Sequence, residues 1–280
     1  MEKIAIVTDS SCDLPDEVVK NYDIKIIPLR IIYSKREYRD RIEICADEVY
    51  EKLENEIPKT SLPSPEDVND LFKKLQEQGY THVLGIFLSS ALSGTYNMIK
   101  KLAEAFKGLK FKLVDSKTLS MGLGFLVLKA AEEIKKSNDF LKAYEMTEKA
   151  IKNSSLFFVL KTLDYLRKGG RIGLVEGTIG ELLGIKPIIS VDEEGKYYPY
   201  AKVRGRKKSI EELYKIIKEK LKDKKCKIAV MHGYAEKEAQ KLIEKIKEIE
   251  NVEDAFFGQI SPVLGVHTGP GLIGVGVFEV

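Results

Sequence analysis

The chain has 280 residues, 44% of them hydrophobic and 32% charged. That balance excludes a disordered chain and leaves one large or two medium globular domains with room for a sizeable core. The 46 Lys and Arg against 43 Asp and Glu leave a net charge of +3, a weak footing for nucleic acid as the main partner.

Residues 3–11, KIAIVTDSS, read as a short buried strand that ends in Asp9, Ser10 and Ser11. DEVVKNY behind Pro15 is a short helix, and IKIIPLRIIY reads as one buried strand rich in β-branched residues. A helix around 47–55 follows. The clearest helix then opens at Ser64, a natural N-cap, with Pro65 in its first turn and Glu66 and Asp67 at the positive end of its dipole. Val68, Leu71, Phe72 and Leu75 form its apolar stripe and Gly79 stops it. HVLGIFL is a strand; Ile99, Leu102, Ala103 and Phe106 give the i, i+3, i+4, i+7 spacing of an amphipathic helix; FKLVDS is another strand. A long helix through Lys136 and one over 140–152 complete the first half. Strands alternating with helices predict a parallel sheet with right-handed crossovers.

The second half is built differently. SLFFVL is a strand, TLDYLRKGG a short helix with a Gly stop, and KPIISVDEEGKYYPYAKVR an antiparallel hairpin turning at 193–195. A Lys-rich helix over 209–222 precedes two strands, CKIAVMHG and VEDAFFGQI, with a helix between them, and LIGVGVFEV is a last strand. The expected fold class is α/β, as two closely packed α/β domains. Residues 1–154 carry the mainly parallel sheet flanked by helices, and residues 155–280 a mixed or antiparallel sheet with helices. No apolar run reaches the roughly 18 residues of a spanning helix, and the chain opens into a strand without a signal-peptide stretch. A cytoplasmic protein with no stable membrane insertion is expected.

Ligands of open parallel sheets bind beyond the carboxyl ends of the strands. Thr8 to Ser11, then Ser89, Ser90 and Ser93, then Asp115 and Ser116 all fall at such ends, each cluster just ahead of a helix. A helix N-terminus offers unpaired N–H groups and about half a positive charge, so uncharged hydroxyls beside it suit an anionic oxygen head group. Thr60 and Ser61 in the Pro-bounded stretch PKTSLPSPED add a further cluster. Taken singly, each is equally well explained as a helix cap or a plain loop; convergence is what makes a site.

Other motifs lead elsewhere. GPGLIG at 269–274 fits G-x-G-x-x-G but has neither the helix nor the acid that a dinucleotide site needs, so HTGPG is read as a tight turn. Ser93, His267 and Asp115 form the alternative, a serine hydrolase triad, although LSG is not the G-x-S-x-G elbow. His267 is the most suggestive of the three histidines; His82 and His232 fall at strand ends. Cys12, Cys45 and Cys226 lie too far apart for a disulfide framework, and no metal or cofactor is expected. The basic stretches LRKGGRI and KVRGRKKS are either a helix end and a solvated turn, or a docking face for an acidic or phosphorylated partner.

In order along nearly the whole chain, IVTDSSCDLP, KTSLPSPED, FLSSALSGTYN, VDSKTLSMGLG, LRKGGRIG, LLGIKPII, VRGRKKS and HTGPGLIGVG resemble the DegV family, which includes the fatty-acid-binding subunit of bacterial fatty acid kinase. One departure is Leu62, where the family loop often carries glutamine. The resemblance implies a fatty acid held between two domains, its carboxylate bound by Thr60 and Ser93, with Ser61, Gly94 and Thr95 nearby and His267 close to the head group. It implies that the protein does no chemistry itself but presents the lipid to a separate kinase subunit, with Arg204 helping to dock that partner. At about 0.8 kcal/mol per buried methylene the tail sets affinity and the hydroxyls fix register. The head site is expected to hold no Lys or Arg. Candidates for the tail slot are Phe157, Phe158, Leu160, Leu163, Ile172, Leu182, Leu183, Ile185, Ile188 and Phe257, each equally well explained as ordinary core.

Overall fold

In the computed structural model, which describes residues 2–178 and 184–280, strand and helix alternate from the start. The first half runs β1 (Ile4–Asp9), α1 (Asp16–Asn21), β2 (Lys25–Ile27), β3 (Arg30–Ile32), β4 (Glu37–Arg39), α2 (Ala46–Lys52), β5 (Lys59–Ser61), α3 (Pro65–Glu77), β6 (His82–Phe87), α4 (Thr95–Ala105), β7 (Lys110–Asp115), α5 (Ser120–Ser137) and α6 (Phe140–Ala150). The second runs β8 (Ser154–Val159), α7 (Asp164–Lys168), β9 (Ile188–Val191), β10 (Tyr197–Ala201), α8 (Arg206–Lys220), β11 (Cys226–Gly233), α9 (Glu236–Lys247), β12 (Val252–Gln259), α10 (Pro262–Thr268) and β13 (Leu272–Glu279).

Three sheets result. β2-β1-β6-β7 is all parallel, and β1 and β6 are buried along their whole length, as strands covered on both faces must be. On one face Ala5, Val7, Val83 and Phe87 meet Val68, Phe72 and Leu75 of α3 and Ile99 and Ala103 of α4. The second sheet, β10-β9-β8-β13-β11-β12, is mixed: only β11 and β12 run parallel, and the rest pair antiparallel. The β9–β10 pair is the expected hairpin. The long helix α5 packs on β1 and β6 of one sheet and on β8 and β13 of the other. Its first half is therefore buried all round, as a helix between two sheets must be.

Two expectations fail for local reasons. IKIIPLRIIY is not one strand: Pro28, lacking an N–H, breaks the ladder, and the chain leaves the parallel sheet there. The part beyond it, β3, joins a separate antiparallel sheet, β4-β3-β5, in which Ile31 pairs with Thr60. Thr60 and Ser61 thus lie on a strand and not in a loop. Likewise, the stretch ahead of GPGLIG is not merely a turn: residues 262–268 form α10, with Pro262 in its first turn, and His267 sits in its last.

Candidate functional site

Strand alternation decides which side chains of the mixed sheet can meet a ligand. Phe157, Val159, Ile188, Ile273, Val275 and Val277 face one way, into a core shared with α8 and α9. Leu156, Phe158, Met231 and Leu272 face the other way, toward α5 and α10. On that second face Phe158, Gly274 and Met231 stand in one row across β8, β13 and β11. Gly274 has no side chain to fill the space above it. Across this floor lies α10, whose Val263, Leu264 and His267 share one face by i, i+3 and i+4 spacing, with Ile260 in the stretch just before the helix.

Between them is a cavity with about 230 Å³ open to the centres of water-sized molecules. Leu29, Leu88, Leu92, Leu119, Leu156, Phe158, Met231, Ile260, Val263, Leu264 and Leu272 make most of its wall apolar. Its polar groups include Thr60, Ser61, Ser93, His267 and Arg171. Ser61 is exposed and Thr60 and Ser93 are half-buried, so this part of the wall is nearest solvent.

Each of these polar residues except Ser61 is held by a hydrogen bond of its own. Thr60 Oγ1 lies 2.7 Å from His267 Nε2. Ser93 Oγ lies 2.9 Å from Thr95 Oγ1 and accepts from the Thr95 N–H at 3.3 Å, just where α4 begins. The Arg171 guanidinium donates to the Gly169 carbonyl at 2.6 Å and reaches the Leu92 carbonyl at 3.5 Å, beside Ser93. Burial pushes the His267 pKa down to about 4, and the positive charge of Arg171 pushes in the same direction. The imidazole is therefore neutral near pH 7. Its Nδ1 is buried without a hydrogen-bond partner among the described residues, packed where a Cβ on Gly169 would come within 2.2 Å. Only glycine at 169 lets the ring sit there.

The structure brings Thr60, Ser61, Ser93 and His267 to one cavity. Gly94 is the N-cap of α4 and Thr95 is fully buried behind Ser93; neither lines the wall. Arg204 is exposed on the turn before α8, in an isolated bridge with Ile185, and does not line the cavity. The other hydroxyl clusters do not converge on it. Asp9 accepts from the Ser11 N–H, the Ser11 hydroxyl and the Leu88 N–H, while Ser10 Oγ accepts from the Leu29 N–H. Those groups tie loops together. Asp115 is likewise occupied by the Ser90 N–H and hydroxyl and by Lys117. Half-burial opposes ionisation of Asp115, but those hydrogen bonds prevail and its pKa is lowered. Its partners are not His267, so Ser93, His267 and Asp115 form no relay.

Of the tail-slot candidates among the described residues, only Phe158 lies on the cavity wall. Phe157 and Ile188 face the opposite core, Leu160, Leu163, Ile172, Ile185 and Phe257 lie off the wall, and Leu182 and Leu183 fall outside the described residues. Arg171 lines the same cavity as the hydroxyls of Thr60, Ser61 and Ser93, where no cation was expected. Its signal is in LRKGGRI, where Gly169 and Gly170 follow α7 and the next residue reaches the cavity, although a helix end explains the same residues equally well.

Two sheets bracketing α5, with a largely apolar cavity whose polar groups include short hydroxyls, a neutral histidine and one arginine, define an α/β protein with an amphipathic cavity. The profile described as "Uncharacterised protein, DegV family" matches residues 3–280, and the chain belongs to the DegV family. A DegV domain-containing protein of Clostridium acetobutylicum is 49% identical over 280 residues, covering 100% of both chains. Among solved structures, a fatty-acid-binding DegV family protein from Thermus thermophilus superposes with a TM-score of 0.93 at 30% identity, covering 99% of this chain and 100% of its own. A stearic-acid-binding protein from Eubacterium ventriosum does so with a TM-score of 0.90 at 29% identity, covering 99% and 98%.

Proposed function

We propose that this protein binds one long-chain fatty acid and presents it to a separate kinase subunit that forms the acyl phosphate. The carboxylate lies at Thr60, Ser61 and Ser93 beside His267 and Arg171, and the acyl chain runs along α10. The observation that carries the reading is a cavity whose wall is mostly apolar and also carries the hydroxyls of Thr60, Ser61 and Ser93 beside His267 and Arg171. The fatty-acid binding of the Thermus and Eubacterium relatives supports it. We place the lipid between residues 1–154, which supply Thr60, Ser61 and Ser93, and residues 155–280, which supply Phe158, Met231 and His267.

The neutral imidazole helps assign the proton. An unpartnered buried N–H costs more than an unpartnered acceptor, so the proton belongs on Nε2, which donates to Thr60 Oγ1. The Thr60 hydroxyl hydrogen is then free to donate to a carboxylate. Arg171 adds one charge, held by backbone carbonyls and so fixed in place. A hydrogen bond to a charged group contributes roughly 1.5–3 kcal/mol, whereas ~15 buried methylenes contribute on the order of 10 kcal/mol before the costs of binding. The tail sets affinity and the head group sets register. Arg204, exposed before α8, is assigned to docking the kinase.

Native mass spectrometry of the purified protein before and after organic extraction tests the reading. We expect a mass loss matching a long-chain acid; a protein that neither carries such an acid nor takes one up refutes it. Thr60→Ala with Ser93→Ala is expected to lower acyl-phosphate formation in a reconstituted kinase assay more than it lowers lipid content. Equal activity of the double variant and the wild type would remove these residues from the head site.

A further inference from the structure

A second cavity, with about 370 Å³ open to the centres of water-sized molecules, adjoins the first. Met231 and Ile260 line both. The start of α5 divides the same way: Ser120 lines the first cavity and Met121 the second. One part of this wall is fixed by polar bonds, since Asp13 accepts from the Ser120 hydroxyl at 2.5 Å and from the Ser261 N–H at 2.8 Å. The Met231 part is different. In the sheet it stands between Gly274 on β13 and Gly258 on β12, so neither cross-strand neighbour has a side chain to hold it sideways. Gly274 lines the first cavity and Gly258 the second. A Cβ on Gly258 would lie 3.3 Å from Met231 Cε and 3.8 Å from its Sδ, so the thioether end rests over Gly258. Methionine is unbranched, with three rotatable bonds, and re-packs at little cost.

The distance fits an acyl chain. Val263 and His267 lie four residues apart on one face of α10, about 6 Å at the helical rise, and Ile260, in the stretch before the helix, is at most about 10 Å beyond Val263. A chain anchored at His267 and running along that face arrives at the Met231–Ile260 wall well before a long acyl chain is exhausted.

We infer that Met231 is the residue that sets acyl length, a movable partition beyond which the second cavity receives the methyl end of chains too long for the first. This rests on the fatty-acid reading above. Two substitutions push in opposite directions. Met231→Ala deletes the partition and joins the cavities. Gly258→Ala puts a methyl where the thioether rests and displaces it toward Gly274, into the first cavity.

The test loads delipidated wild type and both variants with an equimolar series of saturated straight-chain acids, laurate through behenate, and reads the bound species by mass spectrometry. Met231→Ala frees the volume of the three heavy atoms beyond Cβ and is expected to shift the bound distribution longer by about two to three carbons. Gly258→Ala is expected to shift it shorter. Variants that bind the wild-type distribution overturn the inference, and if Met231→Ala fails to fold, an unshifted Gly258→Ala does so alone. A wild type that takes up no acid refutes the fatty-acid reading itself, an outcome distinct from binding without a shift.

Discussion

His267 carries the clearest pH signature of any single residue in the site. Its folded pKa of about 4 lies below the ordinary 6.5 because the ring is buried and faces Arg171. The unfolded chain therefore binds a proton more readily than the folded one, and stability rises with pH through this window. The contribution is complete above the ordinary value and is lost as pH falls from 6.5 toward 4, a loss of about 3 kcal/mol. Asp13 and Asp40 work oppositely, since burial raises them to about 6 and about 7 and the folded state then keeps protons that the unfolded chain gives up. They are present in both partners of a comparison, so they cancel from a difference. His267→Gln keeps a donor toward Thr60 and does not titrate. Urea unfolding of delipidated protein is expected to show the variant gaining about 3 kcal/mol on the wild type between neutral pH and the folded pKa. A gap independent of pH would mean the ring is not held neutral by burial.

At the scale of the element, β13 shows both what the sequence discloses and where it stops. LIGVGVFEV is legible as a strand, and its alternating glycines mark one face as bare; which face meets a ligand depends on the partner strands and on α10, which no local pattern announces. Phe157 and Phe158 are indistinguishable by composition, and only the register of β8 against β13 sends one to α8 and the other to the cavity. The spacing of Val263, Leu264 and His267 marks one face of α10, but a helix of seven residues followed by glycines gives too short a pattern to distinguish from a turn. The two β13 glycines give a paired prediction. A Cβ at Gly274 would meet Phe158 Cβ at 3.5 Å, an ordinary contact, and add a methyl to the cavity floor. A Cβ at Gly276 would meet Met121 Cβ at 3.4 Å, under α5 and away from the cavity. Gly274→Ala is therefore expected to weaken fatty-acid binding by about one methylene, ~0.8 kcal/mol or about fourfold in Kd. Gly276→Ala is expected to leave Kd unchanged and to act only on stability. Titration of both delipidated variants against one acid checks this, and equal Kd values would mean that Gly274 is not part of the floor.

Across the whole molecule, the order of elements and the two sheet types were legible because periodicity and β-branched runs report them directly. The site was legible only in part. Thr60 and His267 lie 207 residues apart yet meet at 2.7 Å, with Ser93 on the same cavity wall; Asp9, Ser10 and Ser11, equally plausible in sequence, are turned inward to tie loops, a distinction made by tertiary contacts alone. The cavity draws its wall from β5, β8, β11, β13, α10 and the loop ahead of α4, so its occupant touches elements from both halves of the chain. A ligand bound there and absent from the unfolded chain stabilises the whole by mass action, by about 2.7 kcal/mol at a hundredfold excess over Kd. For a chain of this size that corresponds to a rise in Tm of about 5–10 °C on reloading delipidated protein. The same measurement separates head from tail. Because the acyl chain supplies most of the binding free energy, the Thr60→Ala, Ser93→Ala double variant is expected to keep more than half of the Tm shift while losing register at the head group. If the double variant instead lost the whole shift at saturating lipid, the hydroxyls and not the aliphatic wall would be setting affinity, and the division of labour between the two ends of the cavity would be reversed.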